Sequence, residues 1–176
     1  MCMYDPDTLR FGALVGELPG HRSGEGSYTA RECLVKEHLQ ASAKATAARS
    51  RHVVLVVDHD ETMRNANACA LRALGFPVIE GATAAEATAL VSAASAVVLD
   101  IELPDLDGFD VCRLLRMTAR TSKVPVVHLG AARVEDAHRE RSEAVGADAM
   151  VAASVPPAHL AALLDELIAR TLPAPA

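Results

Sequence analysis

Two apolar segments of the sequence each end at an aspartate. Residues 53–57 are all Val or Leu and are followed by Asp58, and residues 96–99 are apolar and are followed by Asp100. Carboxylates that lie together repel one another unless a cation stands between them. Mg²⁺ suits such a place, because it uses one or two carboxylates, keeps several waters and binds phosphate oxygens. A carboxylate beside that metal can attack a phosphoryl group, so the two segments indicate aspartyl phosphate chemistry if the fold brings Asp58 and Asp100 together.

The elements that would bring these side chains together are repeated β-α units. From Arg51 onward, short apolar runs alternate with helix-length amphipathic segments, which is typical of a parallel sheet. The predicted strands are 53–57, 78–79, 96–99, 126–129 and 150–152. The predicted helices are 61–74, 84–91, 109–119, 135–145 and 157–168. Neighbouring parallel strands end at the same edge of a sheet, so we expect Asp58 and Asp100 to converge there.

The composition limits the classes of protein to which the chain can belong. It has 176 residues, of which 51% are hydrophobic and 23% are charged, as in a globular domain. The formal net charge of -6 disfavours nucleic-acid binding, which needs a clustered basic face. No apolar run approaches the roughly 20 residues of a membrane span, and residues 1–20 lack the pattern of a secretory leader. We therefore expect a cytoplasmic protein that binds neither nucleic acid nor membrane.

The residue composition and the hydrophobic pattern of the sequence change near residue 50. Residues 18–27 concentrate Gly, Ser and other turn-forming residues, whereas residues 30–49 are rich in helix-forming side chains. We predict a flexible N-terminal extension over residues 1–50 with one helix at about 30–49. A single domain over 51–172 and a tail over 173–176 complete the expected organisation.

The segments after Asp100 make the phosphoryl hypothesis more specific. Leu103-Pro-Asp-Leu-Asp-Gly-Phe109 follows the predicted third strand, and Lys123-Val-Pro-Val-Val-His128 and Val145-Gly-Ala-Asp148 come later. With these motifs, residues 51–172 resemble the receiver domain of bacterial two-component response regulators. The resemblance implies a flavodoxin-like α/β fold, with a five-stranded parallel sheet of order 2-1-3-4-5 and helices on both faces.

The resemblance also implies a function. Asp100 would be the phosphoacceptor, taking a phosphoryl group from a histidine kinase or a histidine phosphotransfer protein. Asp58, Asp100 and the backbone carbonyl of Glu102 would hold Mg²⁺, and Asp60 would join them only if its loop shifted in register. Such a domain is not expected to be an enzyme, beyond assisting its own phosphorylation and dephosphorylation.

Four positions depart from the pattern of the family. His59 stands where receivers carry a second acid, and imidazole is a poor ligand for Mg²⁺, so weak metal binding is expected. Gly130 replaces the Thr or Ser after the fourth strand, and Ala153 replaces the Lys after the fifth. Met150 replaces an aromatic residue that commonly moves on activation, so the usual phosphorylation switch is expected to be impaired.

Two alternative functions remain open at this stage. One is a receiver-like module that binds proteins independently of phosphorylation. The other is a haloacid-dehalogenase-like phosphatase with Asp58 as nucleophile and Asp60 as acid/base, although the sequence lacks the later Lys and acid pair that such enzymes need.

The remaining expectations concern partners and the core. The fourth and fifth helices of the repeated units, residues 135–145 and 157–168, would serve as a surface for a homodimer or an effector. Because the sequence ends shortly after the last predicted helix, we expect a stand-alone regulator or the receiver fragment of a larger sensor. His128 lies within an apolar strand and is expected to be a core residue rather than a ligand.

Overall fold

A computed structural model describes residues 30–130 and 135–171, apart from the side chains at 30–36, 38 and 39. The chain divides into two compact units, 1–44 and 45–176. In the first unit the described residues form most of helix α1 (Ala30–Arg49), the stretch for which the sequence predicts a helix. The predicted flexible segment before it and the predicted tail at 173–176 lie outside the described residues. Among the described helices, none has the length and apolar character needed to cross a bilayer.

The second unit contains one parallel sheet with five strands. They are β1 (Val54–Val57), β2 (Val78–Gly81), β3 (Ala96–Asp100), β4 (Val126–Gly130) and β5 (Ala149–Ala152). Their order is β2-β1-β3-β4-β5, and every pairing is parallel, which confirms the predicted fold. The helices between and after the strands are α2 (Glu61–Ala73), α3 (Ala84–Leu90) with a 3-10 turn at Val91–Ala93, α4 (Gly108–Met117), α5 (Asp136–Ala144) and α6 (Pro157–Thr171).

The central strands are buried on both faces. In β1, Leu55 and Val57 pack into one apolar cluster with α3 and α4, while Val54 and Val56 pack into a second cluster with α2 and α6. Alternate residues of a strand point to opposite faces, so an unbroken apolar run is what a sheet covered on both sides requires. Burial of this kind supplies the main driving force for folding and fixes the positions of the strand ends.

Two helix ends differ from the predicted bounds by two residues or more, and the other predicted helix bounds of the repeated units lie within one residue of those observed. Helix α4 ends at Met117 rather than at residue 119, because the hydroxyls of Thr118 and Thr121 donate to the carbonyls of Leu114 and Leu115 at 3.1 and 2.8 Å. Helix α6 continues to Thr171, beyond the apolar stripe from which its end was predicted. Residues with high helix propensity can extend a helix beyond its last buried turn. The spacing of apolar residues does not predict such an extension.

The final residue of α1 is fixed to the remainder of the second unit. The guanidinium of Arg49 donates to the carboxylate of Asp165 on α6, with nitrogen–oxygen distances of 3.0 and 2.7 Å. Its Nη1 also donates to the carbonyl of Leu74 at 3.0 Å, and its Cζ lies 5.3 Å from the centre of the Phe76 ring. Only 14% of the Arg49 side chain is exposed.

Candidate functional site

Asp58 and Asp100 lie side by side at the carboxyl edge of the sheet. Strands β1 and β3 are neighbours whose last aligned pair is Val57 with Leu99, so the next residue of each chain segment emerges at the same edge. Asp100 is the last residue of β3, and Asp58 directly follows β1. One ligand atom from each of Asp58, Asp100 and His59 lies within 4.8 Å of the other two. The parallel topology therefore produces the convergence that the sequence predicts.

Asp58 is a buried carboxylate. It is only 6% exposed. Its Oδ1 accepts a hydrogen bond from the amide of Asp60 at 2.9 Å, and its carbonyl accepts one from Nη1 of Arg64 at 2.8 Å. Burial raises the pKa of the Asp58 carboxyl, and the negative charge of Asp100 raises it further. A positive charge placed between the two carboxylates would relieve both effects.

His59 lies against both carboxylates. Its Nδ1 is 2.6 Å from Oδ2 of Asp100 and 3.8 Å from Oδ1 of Asp58. The hydrogen bond with Asp100 is the main cause of a raised pKa for the His59 imidazole, which is half exposed. The sequence identifies His59 as a substituted family position, but no sequence signal predicts this contact, because it depends on the rotamer of one side chain. The imidazole thus already contacts Oδ2 of Asp100, an oxygen that would otherwise be available to a cation.

Asp60 has a structural role at the start of α2. Its Oδ1 accepts hydrogen bonds from the amides of Thr62 and Met63 at 2.7 and 3.2 Å. These bonds satisfy amides that the helix itself leaves unpaired, and they lower the pKa of the Asp60 carboxyl. The carboxylate is committed to capping and does not belong to the cluster of Asp58, His59 and Asp100. This arrangement disfavours both the register shift that would make Asp60 a metal ligand and its use as a proton donor in a phosphatase.

The loop after β3 approaches Asp100 closely. The amide of Glu102 donates to Oδ1 of Asp100 at 3.1 Å, and the amide of Gly108 donates to the carbonyl of Ile101 at 3.0 Å. A Cβ added to Gly108 would lie 2.2 Å from the backbone oxygen of Asp100. Only glycine permits this approach, so steric exclusion of a Cβ explains why the Leu103–Phe109 motif has glycine at position 108.

The two aspartates of the same motif, Asp105 and Asp107, hold the loop after β3 in position. The carboxylate of Asp105 accepts hydrogen bonds from the amides of Ala84 and Ala85 at 2.8 and 3.0 Å, which lowers its pKa. Asp107 caps α4 by accepting from the amide of Phe109 at 2.9 Å, and its Oδ2 lies 2.8 Å from Nη2 of Arg141. The sequence shows these residues only as parts of a motif, whereas the structure shows that they hold the loop against α3 and α5.

Of the other departures from the family pattern, Gly130 and Ala153 lie at the same edge of the sheet, whereas Met150 lies within β5. Gly130 ends β4, and its carbonyl accepts a hydrogen bond from the amide of Ala153 at 3.0 Å. Met150 aligns with His128 in the β4–β5 pairing and packs against the cluster between the sheet and helices α3 and α4. Among the side chains that the structure describes, no lysine follows a strand at this edge, since Lys123 precedes β4. The described residues thus bring neither a hydroxyl at position 130 nor an ammonium at position 153.

His128 is a core residue, as the sequence predicts. It is fully buried, its Nδ1 lies 2.8 Å from the hydroxyl of Ser142, and its ring meets Phe109 edge-on with a centroid distance of 5.1 Å. Burial lowers the pKa of the imidazole to about 4. It is therefore neutral near pH 7 and contributes to packing.

Comparison with known proteins gives the family. The sequence pattern of the response regulator receiver domain matches residues 54–165, which include the whole sheet and both carboxylates. The chain belongs to this family. This confirms the resemblance inferred from the motifs, and the receiver domain is the part of the chain that carries the site.

Relatives and solved structures agree with this assignment. The chain is 32% identical over 120 residues to the probable transcriptional regulator ycf27 of Cyanophora paradoxa, covering 67% of this chain and 48% of that protein. It therefore spans about half the length of the curated relatives that it matches. A putative response regulator from Chloroflexus aurantiacus matches the fold with a TM-score of 0.64 and 26% identity, covering 68% of this chain and 98% of that one.

A further solved structure bears on the metal. The receiver domain of the sensor histidine kinase PA1611 from Pseudomonas aeruginosa has a TM-score of 0.62 and 25% identity, covering 67% of this chain and 98% of that one. That structure has a magnesium ion coordinated in its active-site cleft.

The donors of the present receiver domain fit Mg²⁺ only in part. The carboxylates of Asp58 and Asp100 are oxygen ligands of the kind that Mg²⁺ prefers, and their mutual repulsion favours a cation. His59 supplies a nitrogen in place of a third carboxylate. This donor set suits a divalent cation without favouring Mg²⁺.

Proposed function

We propose that the receiver domain acts in two-component phosphorelay signalling and accepts a phosphoryl group on Asp100 from a histidine kinase or a histidine phosphotransfer protein. The observation that carries this proposal is the position of Asp100 at the carboxyl edge of the sheet, within reach of Asp58 and His59. Its side chain is 14% exposed, so the carboxylate is largely shielded yet reachable from solvent.

Few groups of the chain take part directly in the proposed phosphoryl transfer. A carboxylate oxygen of Asp100 attacks the phosphorus of a phosphohistidine, the nitrogen–phosphorus bond breaks, and the donor histidine leaves and takes up a proton. The amide of Glu102 orients the carboxylate through Oδ1, which leaves Oδ2 as the attacking atom once His59 swings away from it. In this proposal the domain receives the phosphoryl group from another protein, and the domain itself at most assists its own phosphorylation and dephosphorylation.

A cation would serve this step when bound. Asp58, Asp100 and the backbone carbonyl of Glu102 would hold Mg²⁺ weakly, and the ion would neutralise charge on the incoming phosphoryl group. His59 is not part of that set, because an imidazole nitrogen is a poor ligand for Mg²⁺.

The response to phosphorylation is proposed to differ from that of ordinary receivers. Gly130 cannot supply a hydroxyl and Ala153 cannot supply an ammonium group to the phosphoryl oxygens. Loss of these contacts leaves added negative charge near Asp100 as the main consequence of modification. The signal would then be read by partners that bind near the edge of the sheet, or by a homodimer or effector at α5 and α6.

We place this function in the cytoplasm, where histidine kinases phosphorylate receivers. The net charge of -6 disfavours direct binding to nucleic acid, and the proposal includes no membrane partner.

Treatment with phosphoramidate, a small-molecule phosphohistidine mimic, tests the proposal without knowledge of the cognate kinase. We expect one hydroxylamine-labile phosphoryl group in the intact mass of the wild-type protein and none in Asp100→Asn. Equal modification of both proteins would place the acceptor elsewhere, and no modification of either would refute phosphoacceptance.

One observation favours a second candidate, a module that binds proteins without phosphorylation. The contact between Nδ1 of His59 and Oδ2 of Asp100 engages the oxygen that would react, and the two groups that usually read the phosphoryl group are replaced. In this case Asp100→Asn and the wild-type protein would resist phosphoramidate alike and bind the same partner with equal affinity. Titration with that partner, once it is identified, separates the two functions.

A further inference from the structure

The donor atoms at the carboxyl edge of the sheet point to a cation other than Mg²⁺. We infer that Asp58, His59 and Asp100 form a mixed nitrogen–oxygen site that binds a first-row transition-metal dication in preference to Mg²⁺, with Nδ1 of His59 as a direct ligand. The inference deepens the proposed function, since the cation would occupy the phosphoacceptor pocket. Its tests measure binding alone, so either proposal can fail without the other.

The positions of the three donor atoms support this assignment. Zinc and similar ions bind imidazole nitrogen and carboxylate oxygen at roughly 2.0–2.2 Å, which places two ligand atoms roughly 3 Å apart. Nδ1 of His59 is already 2.6 Å from Oδ2 of Asp100 and 3.8 Å from Oδ1 of Asp58. Small side-chain rotations therefore convert the existing cluster into a coordination site.

The surroundings of the three ligands also favour such a site. Asp58 and Asp100 are only 8% and 14% exposed at their side chains, and hydrogen bonds from the amides of Asp60 and Glu102 fix their orientation. His59 is 49% exposed at its side chain, so it is the one ligand free to adjust. Two fixed carboxylates and one adjustable imidazole leave the remaining positions of the metal open to water or a phosphoryl oxygen.

The type of donor decides which metal is favoured. Mg²⁺ demands oxygen ligands in near-octahedral geometry, whereas imidazole suits Zn²⁺, Ni²⁺, Co²⁺ and Cu²⁺. Carboxylates alone also bind these ions more tightly than they bind Mg²⁺. Tighter binding of a transition metal than of Mg²⁺ therefore does not by itself show that His59 is a ligand. The quantity that tests the inference is the part of the transition-metal preference over Mg²⁺ that is lost when His59 is replaced.

Calorimetric titration of the full chain with Ni²⁺ and with Mg²⁺ measures that part. We expect the Ni²⁺ to Mg²⁺ affinity ratio to fall by at least about tenfold in His59→Asp and in His59→Gln, since loss of a group that tunes a metal site commonly changes affinity by that factor or more. His159→Gln is the matched control, because His159 is an exposed histidine on α6 and its removal should leave the ratio unchanged.

A spectroscopic measurement identifies the ligand directly. Co²⁺ is paramagnetic, so it should shift and broaden the ring resonances of a coordinated histidine, and these signals should vanish in His59→Gln and persist in His159→Gln. Amide spectra of each variant check that the fold is retained. An unchanged affinity ratio in both His59 variants, an absence of Ni²⁺ binding, or hyperfine shifts that survive in His59→Gln would each overturn the inference.

Discussion

Nδ1 of His59 lies 2.6 Å from Oδ2 of Asp100, the carboxylate on which the proposed phosphorylation depends. The hydrogen bond raises the pKa of the imidazole, so a proton held there neutralises part of the charge that a cation would otherwise neutralise. A phosphodonor, Mg²⁺ and the imidazole of His59 therefore compete for one carboxylate. Removing the imidazole should therefore make that carboxylate more available to Mg²⁺ and to a phosphodonor.

Replacement of His59 by aspartate should restore reactivity with Mg²⁺. The variant supplies the second acid of the family pattern, adds an oxygen ligand and frees Oδ2 of Asp100. We expect the rate of modification by phosphoramidate at saturating Mg²⁺ to rise by about tenfold, the lower range for repair of a metal site. Intact-protein mass spectrometry against time gives the rate.

The double variant His59→Asp with Asp100→Asn provides the control, since it should remain unmodified. A rate in His59→Asp that equals the wild-type rate would show that His59 does not restrain Asp100.

Gly108→Ala tests the close approach of the loop to β3. The added methyl would lie 2.2 Å from the backbone oxygen of Asp100, so the loop or the strand end must move. Forced overpacking of this kind costs about 1–3 kcal/mol of unfolding free energy, and it should also slow phosphorylation because Asp100 shifts with its carbonyl. Urea unfolding monitored by circular dichroism measures the loss.

Gly81→Ala is the matched control for that experiment. A Cβ at Gly81 meets its nearest atom, Cβ of Glu86, at 3.3 Å, which needs a shift of only about a few tenths of an ångström. Equal destabilisation by the two substitutions would contradict the steric explanation for Gly108.

Much of this arrangement was predictable because it follows from periodicity and topology. Apolar runs of strand length alternating with amphipathic segments fix a parallel sheet, and a parallel sheet of neighbouring strands brings Asp58 and Asp100 to one edge. The capping role of Asp60 also had a sequence signal, since an aspartate directly before a helix is a preferred N-cap. The prediction for Asp60 is instead a metal ligand if its loop shifts in register, or the acid/base of the alternative phosphatase.

The remainder of the site depends on contacts that no local pattern encodes. The rotamer that places His59 on Asp100 joins residues 41 apart, and the approach of Gly108 to the Asp100 carbonyl requires the path of the whole intervening loop. The same holds for Asp105, whose hydrogen bonds reach back to the start of α3. Such contacts are set by tertiary packing and appear only when the fold is known.

Stability should fall in mild acid because of His128. Burial lowers its pKa in the folded protein to about 4, below the value of about 6.5 in an unfolded chain, so the unfolded state binds the proton first. The stabilisation from the neutral buried ring is therefore complete above pH 6.5 and is lost as the pH falls towards 4. The loss should approach about 3 kcal/mol, since each pKa unit corresponds to about 1.4 kcal/mol.

Urea unfolding at pH 7 and at pH 4.5, for wild type and His128→Gln, isolates this contribution. The variant starts less stable but should lose less between the two pH values, because glutamine does not titrate. Asp58 has a raised pKa and acts in the opposite direction, yet it is common to both proteins and cancels in the comparison. An identical pH dependence in the two proteins would exclude His128 as the source.

Arg49→Ala should destabilise the receiver domain more than its position at the end of a helix suggests. The guanidinium is largely buried, binds Asp165 through two nitrogens, donates to the carbonyl of Leu74 and covers the ring of Phe76. Truncation leaves the Leu74 carbonyl without this donor and exposes apolar surface, at a cost of about 1–3 kcal/mol. Arg49→Lys should recover only part of it, because an ammonium cannot reproduce the fork of hydrogen bonds.

Arg170→Ala is the matched control, because Arg170 also pairs with an acid of α6 but does so at the surface. Its side chain is 67% exposed and that of its partner Glu166 is 59% exposed. Exposed pairs with this helical spacing contribute about 0.3–0.5 kcal/mol. If thermal and urea unfolding give equal losses for Arg49→Ala and Arg170→Ala, burial of the guanidinium does not stabilise the domain, and the contacts of Arg49 with Leu74 and Phe76 contribute nothing measurable.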